Sequence, residues 1–339
     1  MNTKEGRQQL LSDFLKAVKQ LDGQYGHLKY ADFAYMIYPK HKKTFNLPAT
    51  KKITLTFMAI THGNELAGVS AFLHFLNDLK EGKRVLNFPV AFILGNYQAY
   101  IENKRFIESD LNRSFHMDQA STMEQCRAKE LSTILQETCY LIDFHQTIEP
   151  TIWPFYIFPY TNQAYKFARV INPHLAIVTH WGKGFSKDGL CTDEYVNSFG
   201  GVGISFESGQ KGYDDKQVQL IIETMTASLS VVEKHFLHTV SALTTPSKIA
   251  KDSAKGDIYT WHKVIPYPKG SHVKLVEGLK NFSFISKGDF LGVVGDKKLY
   301  SPESGEIIFP KYIKENVPLS QYPKELLRIM KKVSEDSLP

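Results

Sequence analysis

Two histidines and a glutamate stand where they can share one metal ion. His62 and Glu65, in the segment THGNE, are three residues apart just beyond an apolar run, Ile53 to Ile60, that reads as a strand. A tight turn into the helix that follows puts residues i and i+3 on one face, so both side chains can point at one ion. Zinc in a hydrolytic site commonly takes two imidazole nitrogens and one carboxylate, leaving its fourth position to water. The third ligand must come from elsewhere. The best candidate is His145 in LIDFHQT, at the carboxyl end of a second apolar strand, the edge where open α/β sheets place their sites. Asp143, two residues earlier on the same face, can accept the remaining N–H of a ligating imidazole. HxxE alone occurs by chance in many chains, and the strand-end DFH supplies the context that a motif needs. Of the 12 histidines, only His180, in THWGKG, is kept as a spare ligand.

Two further clusters fall in the same stretch. Arg105 is followed seven residues later by Asn112 and Arg113 in a polar loop. A guanidinium fork binds a carboxylate bidentately and an Asn amide can donate alongside, so the cluster can recognise an acid. Taken alone, it reads more readily as a solvated, salt-bridged loop. Glu207, in GVGISFESGQKGY, ends an apolar strand just before Gly209 and Gly212. A carboxylate rising from a sheet edge into an apolar pocket is partly desolvated, which moves its pKa toward neutrality and suits a general base for a metal's water. A helix cap or loop acid is the plainer reading of the same residue.

In this order HxxE, R…DLNR, DFH and FESG resemble the succinylglutamate desuccinylase and aspartoacylase family, relatives of the zinc carboxypeptidases. The resemblance covers most of residues 50 to 215. It implies one Zn2+ per chain on His62, Glu65 and His145, with Glu207 as the catalytic glutamate. By the same resemblance Arg105 polarises the scissile carbonyl, and Asn112 with Arg113 grips the substrate's α-carboxylate. The implied activity is zinc-dependent hydrolysis of a non-peptide amide, in an N-acyl amino acid or similar small carboxylated amide. Two features depart from the family. The arginine that aspartoacylases carry about ten residues before the catalytic glutamate is missing from EYVNSFGGVGISFE, where Asn197 stands instead. The family's tyrosine from the β-rich domain has two candidates here, Tyr300 and Tyr312. A carboxypeptidase-type zinc peptidase is the alternative within hydrolases, and a non-catalytic metal-binding or ligand-binding relative the alternative outside them.

The elements that must position these residues alternate. Leu10, Leu11, Phe14, Leu15, Val18 and Leu21 recur at helical spacing between residue 4 and about 22, predicting an amphipathic helix. An edge hairpin is expected of FAYMIYP with TLTFMAI. A strand, a Gly-containing turn and a helix then follow around THGNELAG. VAFILGN, CYLIDFHQT, AIVTHW and VGISFES read as strands, with EQCRAKELSTIL and KQVQLIIETMTASLSVVEKHFL as helices. This grammar predicts an α/β domain over residues 1–245, its mostly parallel sheet flanked by helices. TTPSKIAKDSAKGD reads as a linker. Residues 246–339 read as a smaller all-β domain, in which KGDFLGVVGDKKLYSPESGEIIFP resembles the barrel of lipoyl and biotinyl carriers. No carrier motif surrounds Lys297 and Lys298, which read as solvated turn residues, so that domain is expected to be structural or to shape the substrate site.

Composition narrows the partners. The net charge of +6, from 41 basic and 35 acidic residues, is scattered without like-charge blocks. It favours small anions and argues against a nucleic-acid partner. Cys126, Cys139 and Cys191 form no CxxC pair, so a reducing cytoplasm is expected. No signal-like run opens the chain and no stretch approaches the ~20 apolar residues of a membrane span. The expected partner is a small carboxylated amide, with no membrane; the oligomeric state is left open, a homo-oligomer included.

Overall fold

The computed structural model describes residues 3–40, 47–116, 119–186, 189–237, 256–268, 271–313 and 322–339. Its first helix, α1 (Lys4–Lys19), starts where the Thr3 hydroxyl accepts from Gly6 N at 3.1 Å, and it buries the stripe of Leu11, Phe14 and Val18. Two strands follow, β1 (Tyr25–Ala31) and β2 (Ala34–Pro39), and then β3 (Ile53–Ala59), α2 (Ala67–Lys80) and β4 (Val90–Leu94). Next come α3 (Tyr97–Ile101), α4 (Met123–Gln136), β5 (Thr138–Thr147), β6 (Phe155–Pro159), α5 (Asn162–Ile171), β7 (Ala176–His180), α6 (Thr192–Ser198), β8 (Val202–Gln210) and α7 (Asp215–Leu237). The remainder is β9 (Ile258–Pro266), β10 (Val273–Leu275), β11 (Phe284–Ile285), β12 (Phe290–Val294), β13 (Lys297–Tyr300), β14 (Gly305–Ile308) and β15 (Glu325–Val333).

One 12-stranded sheet runs β1-β2-β4-β3-β5-β8-β6-β7-β9-β15-β14-β11. Its centre, β4-β3-β5-β8, is parallel throughout, and every residue of β3 and β4 is buried. Helices α2 and α7 pack together on one face, where Phe57, Phe72, Phe75, Phe92 and Phe144 form the aromatic heart of the main core. On the other face α4 and α6 cover Met58, Ile93 and Leu141. The α/β class is as expected, but the whole sheet is mixed rather than mostly parallel. β6 enters antiparallel to β8, β2 is antiparallel to β4, and the strands from β15 onward alternate.

The expected hairpin of FAYMIYP with TLTFMAI does not form. β2 pairs instead with β1 and β4, while β3 lies between the parallel strands β4 and β5. The reason is burial: a strand apolar on both faces needs a partner on each side and a cover on each face. The partner that β2 does take, YGHLKYA, mixes Lys29 and His27 into its pattern and reads only weakly as a strand. Phe33, at φ 56°, closes the tight turn between β1 and β2.

The carboxyl-terminal strands are β-rich, as read, but most of them extend the main sheet. β9 pairs in parallel with β7, and β15, β14 and β11 continue outward from it. Only β10, β12 and β13 make a separate three-stranded sheet. A second apolar cluster, including Ile265, Leu275, Leu291, Ile307 and Leu327, packs beneath them. Of the linker reading at 244–257, residues 244–255 lie outside the described residues. Lys297 and Lys298 are exposed, at the start of β13.

Candidate active site

The carboxyl ends of β3, β5 and β8 supply the side chains. Past β3 the chain bends at Ile60, φ 51°, and a turn in which Glu65 N donates to His62 O at 3.2 Å carries both residues inward. Gly63 between them is required by space. A Cβ there would lie 2.2 Å from Ala99 C and 2.3 Å from Tyr100 N, inside the backbone of α3. His145 reaches the same point from β5, whose register sets Phe144 beside Ala59 and His145 beside Glu207 of β8.

Glu65, 3% exposed, bridges the two imidazoles. Its Oε1 lies 2.7 Å from His62 Nδ1 and its Oε2 3.0 Å from His145 Nδ1. One ligand atom from each of the three residues can be chosen so that all lie within 4.8 Å of one another. This donor set fits a divalent zinc-like ion, because two imidazole nitrogens and one carboxylate converge in a buried place with Nδ1 of both rings turned inward. The outer nitrogens face carboxylates. His145 Nε2 lies 3.0 Å from Asp143 Oδ2 without the alignment of a hydrogen bond, and His62 Nε2 lies 3.1 Å from Asp110 Oδ1. Asp143, fully buried, accepts from the Thr61 hydroxyl at 2.8 Å and the Thr192 hydroxyl at 2.6 Å.

The electrostatics follow from crowding charges out of water. Burial works against a charged Glu65, yet His62 and His145 hold its carboxyl far below the usual carboxylate range. Burial likewise opposes charge on His145, and Asp143 and Glu65 outweigh it, raising the imidazole well above its ordinary value. Glu207 goes the other way. Its burial, helped by the negative charge of Glu65 and opposed by His145, pushes the carboxyl up to about 7. Its Oε2 is buried with no hydrogen-bonding partner among the described residues, so a proton acceptor stands on the strand position beside His145.

The loop that carries Arg105, Asn112 and Arg113 brings Arg105 to the same place. Arg105 Nη2 lies 2.7 Å from His62 Nε2 and donates to Asp110 Oδ2 at 3.0 Å, and its Nη1 is 3.9 Å from Glu65 Oε1. Although burial resists it, Arg105 and His62 keep the Asp110 carboxyl well below its usual range. Asn112 is tied to α6 by its Oδ1, which accepts from Thr192 N at 3.0 Å. Arg113 donates to the Asn112 carbonyl and to Cys191 Sγ and lies 4.6 Å over the Phe185 ring.

With this geometry in place, the known proteins that resemble the chain become informative. The model of the succinylglutamate desuccinylase/aspartoacylase catalytic domain matches residues 51–232. The chain belongs to this family. Among curated relatives, a probable aspartoacylase of Trichodesmium erythraeum is 24% identical over 288 residues, covering 78% of this chain and 93% of the relative. A succinylglutamate desuccinylase of Pseudomonas putida is 23% identical over 274 residues, 76% and 78% of the two chains. Among solved structures, a succinylglutamate desuccinylase from Vibrio parahaemolyticus superposes with a TM-score of 0.66 at 15% identity, covering 89% and 87%. At that identity it speaks for the shared fold.

Neither tyrosine candidate belongs to the group around Glu65. Tyr300 packs on Phe290 at the half-exposed edge of the small sheet, and the Tyr312 hydroxyl is committed to Val276 O at 2.6 Å and Leu279 N at 2.9 Å. His180, kept as a spare ligand, stacks on Trp261 at 4.4 Å and donates through Nδ1 to Lys183 O, apart from the two ligand imidazoles. Asn197, standing near the family's missing arginine, accepts from Gly203 N at 2.8 Å and shapes the turn into β8. Two residues went unread. Glu124 sits 1% exposed on α4 and holds the Arg105 loop. Its oxygens accept from Ile107 N at 2.6 Å, Glu108 N at 3.2 Å, Ser109 N at 3.0 Å and Asn96 Nδ2 at 3.1 Å. The signal was present, because Glu124 shares a helix face with Ala128, Leu131 and Leu135, where an acid needs a reason. The other is Lys311, which no local pattern marked; burial and the charges of Arg105 and Arg113 push its ammonium down to about 8.

Proposed function

We propose that this protein is a zinc-dependent amidohydrolase that deacylates an N-acyl amino acid or a similar small carboxylated amide. The observation that carries the reading is the pairing across β5 and β8: two imidazoles turned onto one carboxylate, with an unpartnered buried glutamate beside them. His62 Nδ1, Glu65 and His145 Nδ1 would hold the ion. Bound there, zinc supplies Lewis acidity and lowers the pKa of a water toward ~7.

The chain's own residues do the rest. Glu207, with its carboxyl near neutrality, accepts the proton of the attacking water and returns it to the leaving amine. Arg105, held by Asp110, faces the position where negative charge develops on the carbonyl oxygen, and one such donor contributes ~3 to 4 kcal/mol. Asn112 and Arg113, fixed against α6 and Phe185, grip the amino acid's carboxylate and so orient the amide. The strands after residue 245 would act as a substrate-shaping unit, because Lys311 comes from them and is felt by Arg105 and Glu207. A cytoplasmic setting belongs to the proposal and rests on the three free cysteines. Among the described residues no helix is long and apolar enough to cross a membrane.

The test is Glu207→Gln. The variant should bind one zinc per chain and lose roughly 10²- to 10⁴-fold in kcat on an acyl-amino-acid panel. Near-normal turnover in the metal-loaded variant refutes the role, and an unmodified protein that binds no zinc refutes the site.

A further inference from the structure

One buried residue is bonded to both halves of the candidate site. Thr192, at the start of α6, donates its hydroxyl to Asp143 Oδ2 at 2.6 Å and its backbone N–H to Asn112 Oδ1 at 3.0 Å. Asp143 stands behind His145, with the same Oδ2 3.0 Å from Nε2 of that ring. Asn112 belongs to the loop that carries Arg105 and Arg113. The hydroxyl is not needed to start the helix, because Glu194 Oε2 already accepts from Cys191 N at 3.0 Å.

Asp143 is held from a second side as well. The Thr61 hydroxyl lies 2.8 and 2.9 Å from its two oxygens, and Thr61 immediately precedes His62. One fully buried carboxylate therefore joins the turn bearing His62 and Glu65, the strand bearing His145, and the first turn of α6. A carboxylate out of water depends on each of its donors, and the partner behind a metal-ligating imidazole fixes the orientation of the ring.

The start of α6 is wedged between the loop and the sheet. A Cβ on Gly189 would lie 2.1 Å from Arg113 O, Leu190 N donates to Phe115 O at 3.1 Å, and Arg113 Nη1 donates to Cys191 Sγ at 3.1 Å. On the sheet side, a Cβ on Gly203 of β8 would meet Asp193 Cα and O, each at 2.6 Å. With no slack on either side, a displacement of Asn112 passes to the Thr192 hydroxyl and on to Asp143.

We propose that Thr192 is a positioning residue that couples the metal ligands to the carboxylate clamp, so that an ordered Asn112 and Arg113 strengthen zinc binding and bound zinc in turn orders them. This rests on the metal site and clamp of the amidohydrolase reading above. The coupling is reciprocal, as any linkage between two binding equilibria must be.

The experiment is a double-mutant cycle on the full chain, read as zinc affinity by competition with a chelating dye. Thr192→Val keeps the shape and the backbone N–H but loses the hydroxyl, and its zinc affinity should fall about tenfold. Thr192→Ser, which keeps the hydroxyl, should stay within about threefold of the parent. Asn112→Ala removes the acceptor of the Thr192 N–H and should weaken zinc binding about threefold or more in the parent. In the Thr192→Val background the same change should cost less than about 1.5-fold, because the link is already cut. Thr192→Ala gives the same comparison should valine fail to pack. Parent-like zinc affinity in the variants that lack the hydroxyl, or an equal effect of Asn112→Ala in both backgrounds, overturns the inference. A parent protein that binds no zinc overturns the metal site and the coupling together. The expected coupling without turnover of any acyl-amino acid supports the role of Thr192 and sinks only the proposed activity.

Discussion

Replacing Glu124 by glutamine should cripple substrate binding from a position that is placed to touch no substrate. The carboxylate holds three consecutive backbone N–H groups of the loop between Arg105 and Asp110, plus the Asn96 amide. Glutamine keeps one acceptor oxygen, which can serve two of the four donors. Its NH2 group then meets the other two donors head on. A hydrogen bond to a charged group contributes ~1.5 to 3 kcal/mol, so losing two costs on the order of 3 kcal/mol before the loop relaxes. Relaxation moves Arg105 and Arg113, and if about half of that cost appears in binding, KM rises on the order of tenfold. His62, Glu65 and His145 sit on β5 and the turn after β3, so zinc content should change little. The assay is kcat and KM on an N-acyl amino acid, with zinc stoichiometry and melting temperature measured on the same preparation. Glu124→Asp, which keeps the charge, should fall between the two. A folded Glu124→Gln protein with kcat/KM within twofold of the parent refutes the reasoning, as does a loss that only tracks lost zinc.

Gly63→Ala should cost metal affinity. Its Cβ would sit 2.2 Å from Ala99 C, so the turn must shift by roughly 1 Å to regain van der Waals distance. Zinc affinity by competition with a chelating dye should drop at least about tenfold; unchanged affinity means the turn yields without disturbing His62 and Glu65. The cysteines should differ in reactivity. Burial pushes the Cys139 thiol up to about 11 and raises Cys191 well above the usual thiol range, against the pull of Arg113, whereas Cys126 is exposed. A thiol at 11 is about one part in a thousand thiolate at pH 8. Alkylation at pH 8 followed by mass spectrometry should therefore mark Cys126 alone in the folded protein and all three in denaturant. Modification of Cys139 at a comparable rate in the folded state would contradict that burial.

Much of the chain's architecture was legible because its elements are marked by local pattern. The near-continuous apolar run of LIDFHQT and the helical spacing after THGNELAG each bury a face, and a buried face has one compatible period. What pattern could not supply was pairing. FAYMIYP reads as a strand whether its neighbour is β1, β3 or β4, and the choice depends on which face each strand must cover. β6 and β15 went unread, and with them the mixed direction of the sheet.

The candidate site divides along the same line. The sequence by itself determined the donor types and their order, because imidazole, carboxylate and guanidinium chemistry resides in the residue and strand-end position follows from the apolar run before it. Only the tertiary structure decided which nitrogen of each histidine turns inward, that Glu207 stands beside His145 with an oxygen unpartnered among the described residues, and that Glu124 holds the backbone of the loop that carries Arg105. It also decided that neither Tyr300 nor Tyr312 joins the site, and that Lys311, 246 residues beyond Glu65 in the chain, is felt there instead. Those are matters of distance and desolvation. Both are set by packing between segments remote in sequence, and no local window of residues contains them.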